Sequence, residues 1–166
     1  MGKEINRIRL NRLYSENNIF EEITFHDGVN IILGEKYDDR SVKGRKTNGV
    51  GKSMSIEFLD FCFLNDYEKS RIVKIPKEVF PVEENVILDL DIGQETVTIK
   101  RNRKQADKPI LIREGKTVSF DKIQDARDYL TGIIFSKLNG KKVPSFRNLF
   151  SILMRDERSE FTDIIK

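Results

Sequence analysis

The chain is poor in the residue types that build metal, thiol and membrane sites. Its 166 residues include no tryptophan, one cysteine, one histidine and four prolines. Cys62 falls in an apolar helical pattern, which predicts a small buried hydrophobe and not a nucleophile. His26 has no cysteine or second histidine near it in the sequence, so we assign it a structural role and predict no zinc-type metal site.

Long apolar runs are absent as well. No stretch of eighteen apolar residues occurs, and the chain opens with Met1-Gly2-Lys3-Glu4 and a strand-like pattern instead of a signal peptide. We therefore predict a cytoplasmic protein with no membrane partner. The chain is 38% hydrophobic and 34% charged, which suits one core in a single domain with a subdomain.

Charge alone does not identify a partner. The net charge is +3 and the sequence pI is about 8.9, which is too mild to require nucleic acid. A basic cluster follows the middle of the chain and consists of Lys100, Arg101, Arg103, Lys104 and Lys108. This cluster is either a solvated hairpin end or a contact to DNA phosphates, and both interpretations stay open.

One segment, Lys46 to Ser53, has the residue types of a phosphate-binding loop. Two of its glycines allow the backbone to direct successive N–H groups at one phosphate. Lys52 would contact the outer phosphates, Ser53 would bind Mg²⁺, and the start of the following helix would favour an anion. The usual pattern requires a third glycine where Lys46 stands. A glycine- and lysine-rich surface turn before a core helix is the alternative.

Both flanks of the loop fit this interpretation. Residues 28–34, Gly-Val-Asn-Ile-Ile-Leu-Gly, form a short apolar run that predicts a buried parallel strand. After the loop, apolar residues occur on nearly every side of a predicted helix. They are Met54, Ile56, Phe58, Leu59, Phe61, Cys62 and Phe63.

Periodicity predicts the remaining elements. Two hairpins are expected, formed by residues 86–92 with 95–101 and by residues 110–112 with 117–120. Helices are expected after Asp121 and after Pro144. The segment Val86 to Asp89 imitates the strand that holds Mg²⁺ in P-loop enzymes, but Asp89 and Asp91 fall on one face, which indicates a half-buried strand instead.

The string Asn48-Gly49-Val50-Gly51-Lys52-Ser53 resembles the loop of ABC-type ATPase heads of the SMC, RecF and RecN class. Residues 10–14, 23–25 and 27–34 resemble the phrases that surround that loop in the class. In the class a glycine stands two residues before the asparagine, whereas Gly34 stands fourteen before Asn48, so about twelve residues are inserted within 35–47. The insertion either gates the nucleotide or contacts a partner, or it has no role of its own. The split phrase is most similar to the YydD-like bacterial family of SMC-related, defence-system proteins.

This resemblance implies an α/β P-loop NTPase fold, the N-terminal lobe of an ABC-type head with an antiparallel β subdomain. It divides the chain into a P-loop core at 1–65, an antiparallel lobe at 84–120 and a helical segment at 121–166. It implies that ATP and Mg²⁺ are bound by Asn48, Gly49, Val50, Gly51, Lys52, Ser53, Met54 and Gly34, with Ser53 on the metal. It also implies that Arg12 and Tyr14 lie near the base or ribose.

The resemblance also shows what is missing. Arg155 stands at the position of the class's Q-loop glutamine, and a guanidinium cannot bind a cation. Arg155 would contact phosphate or a partner, or lie at a solvated helix end. The signature motif, the Asp-Glu strand and a late histidine are absent, so no catalytic residue is predicted.

We therefore expect the chain to bind ATP and to hydrolyse it only when completed by the C-terminal half of the same head or by a second copy. DNA, contacted through Lys100, Arg101, Arg103 and Lys104, and other defence-system subunits are the further partners implied. One alternative is a self-contained P-loop NTPase or kinase that uses Asp89 or Asp91 for Mg²⁺. The other alternative is a degenerate head that serves as a protein or DNA interaction module.

Overall fold

A six-stranded sheet forms the centre of the part of the chain that the computed structural model describes, which is residues 6–32, 52–136 and 145–153. The strand order in this sheet is β2-β1-β3-β4-β5-β6. The strands are β1 Ile8–Ser15, β2 Ile23–Thr24, β3 Val86–Ile92, β4 Glu95–Arg101, β5 Ile110–Arg113 and β6 Lys116–Ser119.

Two tight turns fix the register of the second half of the sheet. Gly93 joins β3 to β4 with a φ of +67°, and Glu114 and Gly115 join β5 to β6 with φ of +48° and +76°. Such left-handed angles match the twist of two-residue hairpins. Both hairpins predicted from the sequence are confirmed.

The prediction of an α/β P-loop NTPase fold is wrong. All five strand pairings in the described sheet are antiparallel. Strands from residues 8–24 and from 86–119 share this one sheet, because β1 pairs with β3 from Ile8 to Ser15. The described molecule is thus a small antiparallel sheet with few helices, and does not resemble an α/β P-loop NTPase head.

The expected buried parallel strand at residues 28–34 is also wrong over its described part. Residues 28–32 lie outside the strands, and Val29 and Ile31 are 89% and 73% exposed. The Asn30 side chain accepts from the His26 N–H at 2.8 Å and donates to the His26 carbonyl at 2.9 Å. Asn30 therefore holds the chain in a local turn by hydrogen bonds that compete with a strand ladder.

Three α-helices complete the described chain: α1 Lys52–Cys62, α2 Ile123–Ile134 and α3 Phe146–Leu153. Two short 3₁₀ helices follow α1, at Tyr67–Lys69 and Arg71–Lys74. The helices predicted after the loop, after Asp121 and after Pro144 are thereby confirmed. In the described ranges no helix is long and apolar enough to cross a membrane.

The core lies between α1 and one face of the sheet. Leu13, Leu88 and Ile99 are opposite one another on neighbouring strands and are fully buried. They belong to the same apolar cluster as Phe58 and Phe61 of α1. Because side chains alternate along a strand, the residues between them point to the other face of the sheet.

Arginines from three different elements hold the C-terminal end of α1. Arg127 of α2 donates to the Leu64 carbonyl at 2.9 and 2.7 Å and to the Asp66 carboxylate at 2.7 Å. Arg147 of α3 donates to the Asp60 carboxylate at 2.7 Å and to the Phe63 carbonyl at 3.0 Å. Arg101 of β4 donates to the carbonyls of Phe61 and Asn65 at 2.6 and 2.8 Å.

These contacts give donors to carbonyls at and just after the end of α1, and they place positive charge at the negative end of its dipole. We call Arg101, Arg127 and Arg147 the arginine anchor. Packing of Phe63 on Phe150, with ring centroids 3.7 Å apart, adds an apolar contact between α1 and α3 at the same end.

Because Asp66 pairs with the arginine anchor, we expect its contribution to the free energy of unfolding to be sensitive to acid. Hydrogen bonds from Lys69 and Arg127 lower the pKa of Asp66 from 3.8 to about 2. Because the pKa is lower in the folded chain, the contribution is complete above pH about 4 and is lost as the pH falls towards 2. The carboxylate is 41% exposed, so we expect Asp66→Asn to lower the free energy of unfolding at pH 7 by no more than about 1 kcal/mol.

Urea unfolding of wild type and Asp66→Asn between pH 7 and 2 measures this contribution. The difference between the two proteins should shrink below pH 4. Glu78→Gln, which changes an exposed carboxylate in a turn, is the matched control and should show little difference at any pH. A constant Asp66→Asn difference across the range would contradict the assignment.

Candidate functional site

Helix α1 begins at the lysine of the predicted phosphate-binding loop. Lys52, Ser53 and Met54 form its first turn, and no acidic residue occurs in that turn. The first N–H groups of an α-helix have no acceptor within the helix, and together they carry a partial positive charge. This end of α1 is therefore suited to an anion, and it directly follows the sequence Asn48 to Gly51.

Several predicted site residues lie outside the described residues. They are Gly34, Asn48, Gly49, Val50, Gly51 and Arg155, together with the insertion at 35–47. Their predicted roles stay predictions. The described part of the candidate site is the first turn of α1 and the surfaces next to it.

A cleft of about 600 Å³ lies beside α1. Its walls are mostly apolar and include Ile8 and Leu10 of β1, Phe25, and Ile56 and Leu59 of α1. Its volume falls within the range of small-molecule sites. At its rim, Asp27 pairs with Arg7 at 3.4 Å and with Arg9 at 3.0 Å. The cleft thus has an apolar wall on α1 and a charged rim beside the start of β1.

Arg12 and Tyr14 lie on the other face of the sheet. Arg12 is paired with Asp89 across β1 and β3, one residue away from the buried pair Leu13 and Leu88. Its guanidinium lies 4.5 Å from the centre of the Tyr14 ring. The structure therefore does not bring these two residues together with the first turn of α1, and their assignment to the base or ribose stays a prediction.

An ion pair and a hydroxyl hold Asp89 on that outer face. Its carboxylate accepts from Arg12 Nε at 2.7 Å and from Thr98 Oγ1 at 2.6 Å. The hydrogen bond to Asp89 raises the pKa of Arg12, and burial, followed by the charge of Asp89, raises the pKa of Tyr14. Asp91 accepts from Thr96 Oγ1 at 3.1 Å. Asp89 is thus engaged in the sheet, and no cluster of three metal-ligating side chains occurs in the described ranges.

Two of the five residues of the predicted basic cluster are buried. Arg101 is 1% exposed and Arg103 is 8% exposed, so the prediction that these two contact DNA phosphates is wrong. Arg103 donates to the carbonyls of Ile72 and Ile75 at 3.2 and 2.7 Å. The three lysines of the cluster, Lys100, Lys104 and Lys108, are accessible, although each pairs with a carboxylate, at 3.2, 3.2 and 3.5 Å.

Sequence alternation contains the signal that identifies Arg101 as buried. Val97, Ile99 and Arg101 occupy every second position of β4 and so share the face that packs on α1. The Arg101 guanidinium lies 4.1 Å from the centre of the Phe61 ring, and its Nε donates to the Ala106 carbonyl at 2.6 Å. Burial lowers the pKa of Arg101 to about 10, so the group is charged at neutral pH.

Cys62 lies near this guanidinium and is completely buried. Burial raises the pKa of its thiol, and the positive charge of Arg101 opposes this only in part. The prediction of a buried hydrophobe is confirmed, since a thiol with a raised pKa is a poor nucleophile.

A second cleft, of about 720 Å³, lies at the far end of the sheet, between the β3–β4 turn and the end of α2. Glu95 and Arg113 line it and form a two-point ion pair at 2.5 and 2.8 Å. The sequence interpretation did not include this cleft. Because Glu95 neutralises the arginine, the cleft has no evident preference for an anion.

The chain is similar to a curated bacterial protein. It is 29% identical over 156 residues to "Uncharacterized protein YydD" of Bacillus subtilis (strain 168). The match covers 89% of this chain and 25% of that protein, so the chain spans about a quarter of the length of the relative. No protein-family model matches the chain, and no solved structure matches it.

Proposed function

We propose that this chain binds ATP and Mg²⁺ and is the N-terminal portion of an SMC-like ATPase. The observation that supports this most directly is the start of α1 at Lys52, immediately after the loop sequence Asn48 to Gly51. The proposal concerns the chemistry of this loop and helix and does not rest on a parallel sheet.

Each residue of the first turn supplies a group that a bound nucleotide needs. The Lys52 ammonium would neutralise the outer phosphates, and the Ser53 hydroxyl would bind Mg²⁺. The N–H groups of Ser53 and Met54 would donate to phosphate oxygens at the positive end of the helix dipole. The absence of an acidic residue from this turn supports the proposal, because a carboxylate there would repel the phosphates.

We propose that ATP hydrolysis requires a larger assembly than this chain alone. On the described sheet, Asp89 and Asp91 lie on the face opposite α1, so neither is placed to activate water at the start of that helix. We propose that the missing catalytic groups come from the C-terminal half of the same head or from a second copy. The 25% coverage of YydD is compatible with a longer protein of this kind.

Action on DNA, in repair or in anti-phage defence, belongs to the same proposal and rests on the resemblance to SMC-like proteins. Arg101 and Arg103 are excluded from such a contact by burial. Of the four residues predicted to contact DNA, Lys100 and Lys104 are accessible. Each would have to exchange its glutamate partner for a phosphate.

Removal of the Lys52 ammonium is the direct test of nucleotide binding. A ligand at 100 times its Kd stabilises the folded state by about 2.7 kcal/mol, which raises the Tm of a chain of this size by roughly 5–10 °C. We expect millimolar ATP with Mg²⁺ to raise the Tm of the wild type and to leave that of Lys52→Ala nearly unchanged. Differential scanning fluorimetry with and without nucleotide provides the measurement.

Lys74→Ala is the matched control, since Lys74 is an exposed lysine in the second 3₁₀ helix after α1. It should retain the full nucleotide shift. A wild type whose Tm does not respond to millimolar ATP and Mg²⁺ would contradict the proposal and favour the interaction-module alternative.

ATP hydrolysis separates the proposal from a self-contained enzyme. We expect the isolated chain to release phosphate at the background rate, and Asp89→Asn to leave that rate unchanged, because Asp89 is held by Arg12 and Thr98. A steady-state phosphate-release assay measures this. Turnover by the wild type that disappears in Asp89→Asn would support the self-contained NTPase or kinase instead.

A further inference from the structure

We propose that β1, along its edge at residues 8–10 that faces away from β3, is a docking site for an extended peptide segment in which apolar and acidic residues alternate. The segment would enter the cleft of about 600 Å³ beside α1 and pair with β1 as an added strand. Three observations support this: an unpaired strand edge, an apolar cleft that follows it, and two arginines at the rim. Nucleotide binding is not required.

This edge of β1 is paired over only part of its length. β2 pairs with two residues in the middle of β1, and in the described ranges no strand pairs with residues 8–10 on this side. Successive residues of a strand direct their main-chain groups to opposite edges. The Arg7 carbonyl accepts from the Gly93 N–H on the β3 side, so Ile8 and Leu10 direct their groups to the unpaired edge.

The cleft runs along the same edge. It lies between the start of β1 and residues 26–32, which follow β2 without continuing its ladder. Ile56 and Leu59 of α1 form part of its wall on the helix side. Two of the large apolar side chains that are exposed in the described ranges, Val29 and Ile31, also line it. An added strand would therefore bury apolar surface and pair main-chain groups at the same time.

β3, on the opposite edge of β1, shows which side chains pair with this strand. Its sequence Leu-Asp-Leu-Asp-Ile at residues 88–92 places apolar side chains on the helix face and aspartates on the outer face. β1 has the complementary pattern, with Ile8 and Leu10 on the helix face and Arg9 on the outer face. A strand added to the other edge meets the same two faces, so its apolar and acidic residues would alternate in the same way.

Two arginines at the rim of the cleft share one carboxylate. Arg7 and Arg9 form ion pairs with Asp27 at 3.4 and 3.0 Å, and all three side chains are more than half exposed. Asp91 lies opposite Arg9 across the β1–β3 ladder, but it accepts from Thr96 Oγ1, and within the described residues it forms no ion pair with Arg9. An acidic side chain of an added strand would give the second guanidinium a carboxylate of its own.

Fluorescence anisotropy with a labelled synthetic peptide tests the proposal on the full chain without nucleotide. The probe has about seven residues, which span the unpaired edge at about 3.3 Å per residue, and it alternates valine with aspartate. One control peptide carries N-methyl groups on the main-chain nitrogens that would pair with β1. A second control has lysine in place of each aspartate.

We expect the aspartate peptide to bind with a micromolar Kd. The N-methylated peptide should bind at least about tenfold more weakly, because its hydrogen bonds to the edge are lost. The lysine peptide should bind about fivefold more weakly, because Arg7 and Arg9 repel it. No change in anisotropy up to millimolar aspartate peptide overturns the proposal, and so does equal binding of the three peptides.

Two pairs of variants locate the binding site. Val29→Ser changes an exposed valine that lines the cleft, and Val79→Ser changes an exposed valine outside its lining. Arg9→Gln removes a charge at the rim, and Lys77→Gln removes the charge of an exposed lysine outside the lining.

Val29→Ser should weaken binding of the aspartate peptide by about threefold. Arg9→Gln should reduce the preference for aspartate over lysine to about twofold. The variants Val79→Ser and Lys77→Gln should leave both values unchanged, and a control that matches its partner variant in effect contradicts the assignment to this cleft.

A second copy of the chain is the competing occupant of this edge. Analytical ultracentrifugation without peptide distinguishes the two. A dimer that does not bind the aspartate peptide would mean that the edge pairs with itself, and it would overturn the proposal. A monomer that binds the aspartate peptide and discriminates against both control peptides supports it.

Discussion

The arginine anchor at the C-terminal end of α1 is the interaction on which the arrangement of the described chain depends. The last carbonyls of a helix need donors from outside it, and here β4, α2 and α3 each provide a guanidinium at or just after the end of α1. One strand and two helices that are distant in sequence are thereby positioned against the neighbouring carbonyls of Phe61, Phe63, Leu64 and Asn65. The stacking of Phe63 on Phe150 follows from this geometry. The opposite end of α1 is free of acidic residues, so the helix is fixed at one end and suited to an anion at the other.

The local elements of this fold were predictable, whereas the sheet type was not. Alternation in residues 86–101 and the turn at Gly93 specify a hairpin, and periodicity from Met54 to Phe63 specifies a buried helix. The prediction of a parallel strand at 28–34 failed because an apolar run does not identify its partners. There Asn30 closes a turn on His26, and β1 instead pairs antiparallel with β3, a strand more than seventy residues away in the sequence. Such long-range pairing follows from the tertiary structure and not from local propensity.

In the candidate site, too, some features were predictable from the sequence and others were not. The position of Lys52 at the beginning of α1 was predictable from the loop pattern, because that pattern requires a helix to follow. Which of the basic residues are buried could not be predicted from their charge. The charge of Arg101 alone predicts a position at the surface. The alternation of side chains along β4, followed from Val97, predicts instead that Arg101 points inward. Arginine is usually a surface residue, but the alternation of side chains along β4 directs this one inward. The inward position is stable because β4 packs directly on α1, where the side chain donates to main-chain carbonyls.

The two faces of the sheet satisfy their charges differently. On the outer face Arg12 is matched by Asp89, and Thr98 completes the hydrogen bonding of that carboxylate. On the helix face Arg101 and Arg103 donate to main-chain carbonyls, which accept hydrogen bonds without cancelling a unit charge. In the described part of the chain the helix side therefore retains the buried positive charge of Arg101, whereas Arg12 on the outer side is paired with a carboxylate. Because α1 lies on the helix side, the buried charge of Arg101 directly compensates the negative C-terminal end of its dipole.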